Sequence, residues 1–131
     1  MTDDVRRISS GGPWEQSVGY SRAVVAGPFV LVAGSTAVSD GAVRHDGDPY
    51  EQTRASFDVA ARALAAAGCS LADVVQTRMY VTHIRDAAEV GRAHHDVFGD
   101  VRPVTTLVQV AGLMDPRMVV EVEVVAYRPR S

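Results

Sequence analysis

The spacing of apolar and polar residues changes period several times along the chain, and each change marks an element. Gly19 to Ala26 (GYSRAVVA) reads as a strand, Gly27-Pro28 as a turn, and Phe29 to Ala33 (FVLVA) as a second strand. Two β-rich runs joined so tightly predict an antiparallel hairpin. Upstream, Ser9-Ser10-Gly11-Gly12-Pro13 is turn-forming, and residues 1–17 are expected to make an N-terminal loop segment. Ser39 to Asp48 reads as loop with a short strand at Ala42-Val43. A helix then begins, with Asp48 as N-cap, Pro49 in the first helical position and Gly68 where a C-terminal cap belongs. Phe57, Ala60, Ala61 and Leu64 form its apolar stripe; Glu51, Arg54, Asp58 and Arg62 line the other side, with Arg54–Asp58 and Asp58–Arg62 at ion-pair spacing. Val74 to Thr82 alternates and is rich in β-branched residues, which predicts a strand. Arg85 to Phe98 reads as a second helix, with Ala88, Ala93 and Phe98 inward and Gly99 ending it. Val104 to Val110 and Met118 to Tyr127 close the chain as strands.

This order predicts one α/β (α+β) domain over residues 1–131, a mixed β-sheet with two helices packed on one face. Two helices leave the other face of such a sheet bare. Yet Phe29-Val30-Leu31-Val32-Ala33 is apolar on both faces, the pattern of a strand buried on both sides. A second copy of the chain is therefore expected on the bare face, because soluble monomers rarely expose so large an apolar patch.

Composition narrows the partners. Hydrophobic residues make up 47% and charged residues 22% of the chain, so a folded globular domain is expected. Net charge is −3 and the 13 basic residues are scattered from Arg6 to Arg130, with no basic stripe interleaved with aromatics, so no nucleic-acid partner is expected. Cys69 is the only cysteine, which excludes an intrachain disulfide and fits a reducing compartment. Asp3, Asp4, Arg6 and Arg7 interrupt the start, and no run approaches membrane-spanning length. A cytoplasmic protein with no membrane partner is the expectation.

Few residues carry chemistry by pattern alone. His94-His95 are adjacent on a helix and cannot chelate as an i,i+4 pair would, and there is no HExxH, CxxC or spaced carboxylate cluster, so no metal is expected. His45 and His83 read as surface residues, and Cys69 as a small packing residue. No glycine run forms a phosphate cradle, and no cofactor is expected. Glu121 and Glu123 project from one face of their strand while Val120, Val122 and Val124 project from the other. Spacing by itself favours a solvent-facing alternation on an edge strand. Tyr20 and Arg22 share a face of the first strand, and a cleft joining them to Thr105 and Glu123 would hold a small polar molecule and a water. Arg22 reads equally as a surface ion-pair residue.

From Gly19 to Tyr127 the chain resembles the RidA/YjgF family of reactive-intermediate deaminases, formerly the endoribonuclease L-PSP family. The resemblance rests on Tyr20, VLVAGSTA with Gly34, QTRASFDVAARALAAAG, SLADVVQTRMYVT, HHDVFG and RPVTTLVQVAGLMDPRMVVEVEVVAY. It implies a chorismate-mutase-like fold, a homotrimer with clefts between subunits, and hydrolysis of small enamines or imines. Glu123 matches the family's water-positioning glutamate and Tyr20 its cleft tyrosine. Gly34 and Ser35 match its substrate-contacting strand end, and Thr105, Thr106 and Leu107 lie on its substrate-binding strand. Glu123 is thereby expected beside Thr105 and within reach of a neighbouring subunit's Tyr20.

One departure matters. The family's deaminating members carry Arg where this chain has Thr105, and often Cys where it has Leu107. Losing one partner of a buried charge pair costs roughly 2–5 kcal/mol, so a carboxylate-bearing substrate should bind about two to three orders of magnitude more weakly. Arg22 is the replacement cation this reading nominates. The ligand expected is a small molecule, a carboxylate or an imine. The alternative is a non-catalytic small-molecule-binding trimer, and a ribonuclease or translation inhibitor ranks last.

Overall fold

In the computed structural model, which describes residues 5–129, Gly27-Pro28 closes the expected hairpin. Strands β2 (Ala23–Ala26) and β3 (Phe29–Ser35) pair antiparallel, with Ala26 opposite Phe29. Gly27 sits at φ +59°, as the first position of a two-residue hairpin turn requires, and only glycine adopts that conformation freely. Asp3, Asp4 and Arg130 lie outside the described residues.

The expected loop over residues 1–17 needs correction. Val5–Ile8 forms β1, an edge strand antiparallel to β2, and Glu15–Gly19 winds into one π-helical turn. That turn takes Gly19 from the expected strand Gly19 to Ala26, and the strand itself starts only at Ala23, so Tyr20 and Arg22 lie just ahead of β2. Gly-Pro and Gly-Gly signals foretell turns, whereas a four-residue edge strand holding Arg6 and Arg7 lacks the alternation that would reveal it.

Downstream, β4 (Val38–Ser39) and β5 (Ala42–Val43) make a small separate ribbon. Helix α1 (Pro49–Ala66) starts as expected: the Asp48 side chain accepts a hydrogen bond from Glu51 N at 3.0 Å, and Gly68 follows the helix at φ +82°. Arg54 turns away from Asp58 and donates to the Tyr50 hydroxyl at 3.1 Å. After β6 (Val74–Val81), α2 (Ala87–Phe98) buries Val90, Ala93 and Phe98; Ala88, expected inward, is exposed. Strands β7 (Val104–Gln109) and β8 (Val120–Tyr127) complete a six-stranded sheet in the order β1-β2-β3-β8-β6-β7, antiparallel except for the β6–β7 pair. Strand β8 is therefore central, flanked by β3 and β6, which corrects the edge-strand reading of Glu121 and Glu123.

The helices cover one face. Val30, Val32, Val81, Val120, Val122, Val124 and Ala126 pack with Phe57, Leu64, Val90 and Phe98 into one core. On the opposite face Phe29, Leu31, Val108 and Tyr127 are 42–46% exposed, and Phe29 meets Tyr127 edge-on with ring centroids 5.1 Å apart. The apolar pattern of β3 thus divides as expected into a covered half and an uncovered half.

Candidate functional site

The strongest concavity lies where β1 and β3 end and where β2 and β8 begin. A cavity of about 800 Å³ opens there; Tyr20, Arg22, Gly34 and Glu121 line it with Glu15 and Arg62 among its other polar groups, while Trp14, Val18, Met114 and Met118 supply much of its apolar wall. Three of the residues expected in the site, Tyr20, Arg22 and Gly34, therefore meet. The carboxylate that joins them is Glu121, two residues from the one expected.

A bulge makes this arrangement. Between Val32 and Ser35, β3 carries one residue more than β8, which swings Gly34 against Glu121. A Cβ at Gly34 would stand 1.9 Å from Glu121 Oε2, so the missing side chain is where the carboxylate sits. Arg22 Nη2 donates to the Gly34 carbonyl at 2.5 Å, and Arg22 Nε is buried with no acceptor among the described residues. A buried donor without a partner costs free energy. Burial pushes the Glu121 carboxyl above its usual range, repulsion from Glu123 adds to the shift, and attraction to Arg22 opposes it.

The cavity rim is built from the N-terminal segment. Glu15, 8% exposed, accepts hydrogen bonds from Ser10 N, Ser10 Oγ and Gly12 N, which fold residues 9–12 back over the π-helical turn. Those bonds, led by the Ser10 hydroxyl, hold the Glu15 carboxyl below its usual range. On the other rim Arg117 donates through N, Nε and Nη2 to the Asp115 carboxylate, fixing the loop between Met114 and Met118 and lowering Asp115 to about 2.

The remaining expected residues are placed elsewhere. Glu123 is half-buried on the uncovered face and accepts a hydrogen bond from the Tyr80 hydroxyl, whose pKa that bond raises. Thr105 stands two strands away: Thr77 is paired with both Val124 and Thr105, and its side chain is on the helix side. Within one chain Glu123 is therefore not beside Thr105, which corrects that expectation. The strand order puts β6 between them, and strand order leaves no trace in the residue pattern. Ser35 is fully buried opposite Val122, its hydroxyl donating to the Ala33 carbonyl at 3.0 Å. Leu107 packs against the core, and Thr106 is exposed in register with Arg78.

Trp14, Glu15, Met114 and Met118 were missed by pattern reasoning, and Glu121 was singled out but passed over for Glu123. Glu121 shares its strand face with Glu123 and could have been weighed equally; the others carry no periodic signal. Among the described residues no three His, Cys, Asp or Glu side chains gather as a metal would need, and Cys69 is buried. No helix is long and apolar enough to cross a membrane among the described residues.

A family model described as Endoribonuclease L-PSP matches residues 14–128. The chain belongs to this family, also called YjgF/RidA. Among L-PSP relatives, an uncharacterised Streptomyces coelicolor protein is 50% identical over 129 residues, which covers 98% of this chain and 96% of that one. A RutC family protein of Pyrococcus horikoshii is 32% identical over 111 residues, 83% of this chain and 86% of its own length. The crystal structure of a YjgF-family member from Mycobacterium tuberculosis superposes with a TM-score of 0.85 at 46% identity, covering 94% of this chain and 98% of that chain. The six-stranded mixed sheet with two helices on one face is the chorismate-mutase-like fold of the L-PSP family.

Proposed function

We propose that this L-PSP family chain hydrolyses small enamine or imine intermediates in a cleft completed by a second copy, within a homotrimer. The observation that carries the reading is the meeting of Tyr20, Arg22, Gly34 and Glu121 around one cavity, next to an apolar sheet face that nothing among the described residues covers. Imine hydrolysis needs a proton on nitrogen and a water at carbon; the water's oxygen forms the new C–O bond, the C–N bond breaks, and ammonia leaves. Glu121, held toward its protonated form, is suited to deliver the proton. Glu123, about 6.6 Å along the same strand face by strand rise, and Tyr80, in register with Glu121 on β6 and donating to Glu123, are suited to hold the water. Arg22 and Tyr20, which line the cavity, are left to orient the substrate.

Thr105 joins this cleft only from another subunit, which is why assembly belongs to the reading. Light scattering should give three times the 14.0 kDa chain mass. The decisive assay follows ammonia released from imines generated in the same vessel, with the Glu121→Gln and Glu123→Gln variants as controls. Binding without turnover would leave the cleft as a non-catalytic small-molecule site, the reading that Thr105 in place of Arg favours. A stable monomer, or cleavage of RNA by the wild type that both variants abolish, would overturn the proposal.

A further inference from the structure

Two loop segments line the cavity: the β4–β5 ribbon, through Val38 and Gly41, and the loop ahead of β8, through Met114 and Met118. Each is stitched to itself. Arg44, which follows β5, donates from its main-chain N to the Ala37 carbonyl at 2.7 Å and from its guanidinium to Ser39. Met118 N donates to the Asp115 carbonyl at 2.9 Å, beside the Arg117–Asp115 contacts. Among the described residues no hydrogen bond runs directly from one segment to the other.

Gln52, in the first turn of α1, bridges them. Its side chain is fully buried and does not line the cavity. Gln52 Nε2 donates to the Arg44 carbonyl at 3.2 Å and to the Arg117 carbonyl at 3.0 Å, and Oε1 accepts from Val119 N at 2.6 Å. The partners fix these directions: a main-chain carbonyl only accepts and a main-chain N–H only donates, so the amide has one orientation. Both amide protons are thus spent, one on each segment. Arg117 and Val119 flank Met118, and all three groups that Gln52 holds lie outside the strands and helices, where no ladder would serve them instead. We infer that Gln52 is a positioning residue for the cavity, joining the β4–β5 ribbon and the Met114–Met118 loop into one unit that shifts as a whole. An apolar side chain of similar size would leave two carbonyls and an N–H unpartnered and release the segments from α1 and from each other. The inference rests on the proposed function only in taking this cavity as the working site.

The test uses the full chain and NMR. The Met118 methyl reports on one segment, the Gly41 amide on the other, and the Met79 methyl, 4% exposed in the core, is the internal control. In the wild type, the two Gln52 side-chain protons and the Val119 amide proton should share one protection factor of about 100 or more, because one opening frees all three. Gln52→Met should lower the Val119 protection by about tenfold or more and shift Met118 and Gly41 together, leaving Met79 in place. Gln52→Glu should shift the same pair at pH 8 and return them part way at pH 5, where a protonated carboxyl again donates to one carbonyl. Arg44, His45, Asp46, Asp48, Asp115 and Arg117 stand around it in variant and wild type alike, so the wild type at both pH values is the baseline. Separate protection factors in the wild type would overturn the inference without any variant having to fold. Movement of Met118 without Gly41, movement of neither, or an equal displacement of Met79 would overturn it too, the last by making Gln52 a general stabiliser. None of these arms measures turnover, so the hydrolase reading fails by a different result.

Discussion

The sheet holds polar chemistry in two places, and it solves the burial problem differently in each. At the strand ends beside the cavity, a carboxylate is half-buried against a glycine with an arginine nearby. Beneath α2, where aromatic rings crowd the site, the polar groups are the Thr77 and Thr105 hydroxyls and the His94 imidazole, whose burial disfavours its charge. A carboxyl held toward its neutral form is accommodated where backbone has been cleared for it; beneath α2, hydrogen bonds among neutral groups serve.

The largest expected effect comes from moving a charge into the neutral place. Thr105→Arg should raise hydrolysis of 2-iminopropionate by about 100-fold over a slow or undetectable wild-type rate, since each decade is about 1.4 kcal/mol. Fast turnover by the unmodified protein would show that another residue already binds carboxylates. Filling the cleared backbone comes next. Gly34→Ala meets only the flexible end of Glu121, so the fold should survive while the carboxylate is displaced. Turnover should drop by about tenfold with stability altered by less than about 1 kcal/mol, the scale of a strained rotamer; an unchanged rate would remove Glu121 from the chemistry.

Cutting those neutral hydrogen bonds should show mainly in stability. Thr77→Val leaves His94 Nε2 without its partner in a half-buried place, a cost of about 1–3 kcal/mol. Denaturant midpoints at pH 7.5 would register it, and a neutral outcome would mean that water already serves His94. The smallest effect belongs to Glu121→Gln. A carboxyl whose pKa is raised by folding stabilises most below its unfolded value, and that contribution fades as pH rises through the folded pKa. The variant should therefore gain on wild type at pH 7.5 and not at pH 4, by less than about 4 °C in Tm. Equal behaviour at both values would show the carboxyl to be fully hydrated.

Much of this arrangement was legible beforehand because periodicity is local. The Asp48-Pro49 start of α1, the Gly27-Pro28 turn and the two-sided apolar run of β3 each follow from residues that touch one another in sequence. The site was legible only halfway. Tyr20, Arg22 and Gly34 line one cavity, but whether Glu121 or Glu123 joins them depends on a bulge in β3, which one residue of register decides. The separation of Thr105 from Glu123 depends on β6 lying between β7 and β8, a fact of strand order. Thr77 and His94 are 17 residues apart on different elements, and nothing in either neighbourhood announces the pairing.

The contact between Gly34 and Glu121 also constrains the route by which such a protein changes over generations. Any side chain arriving at position 34 first must evict the carboxylate and pass through a form with a damaged site. If Glu121 shortens first, the space opens and position 34 becomes free to vary. The two positions are thus ordered in time: a descendant lineage that has lost its glycine there should already have lost the glutamate, and one that keeps the glutamate should have no freedom at 34.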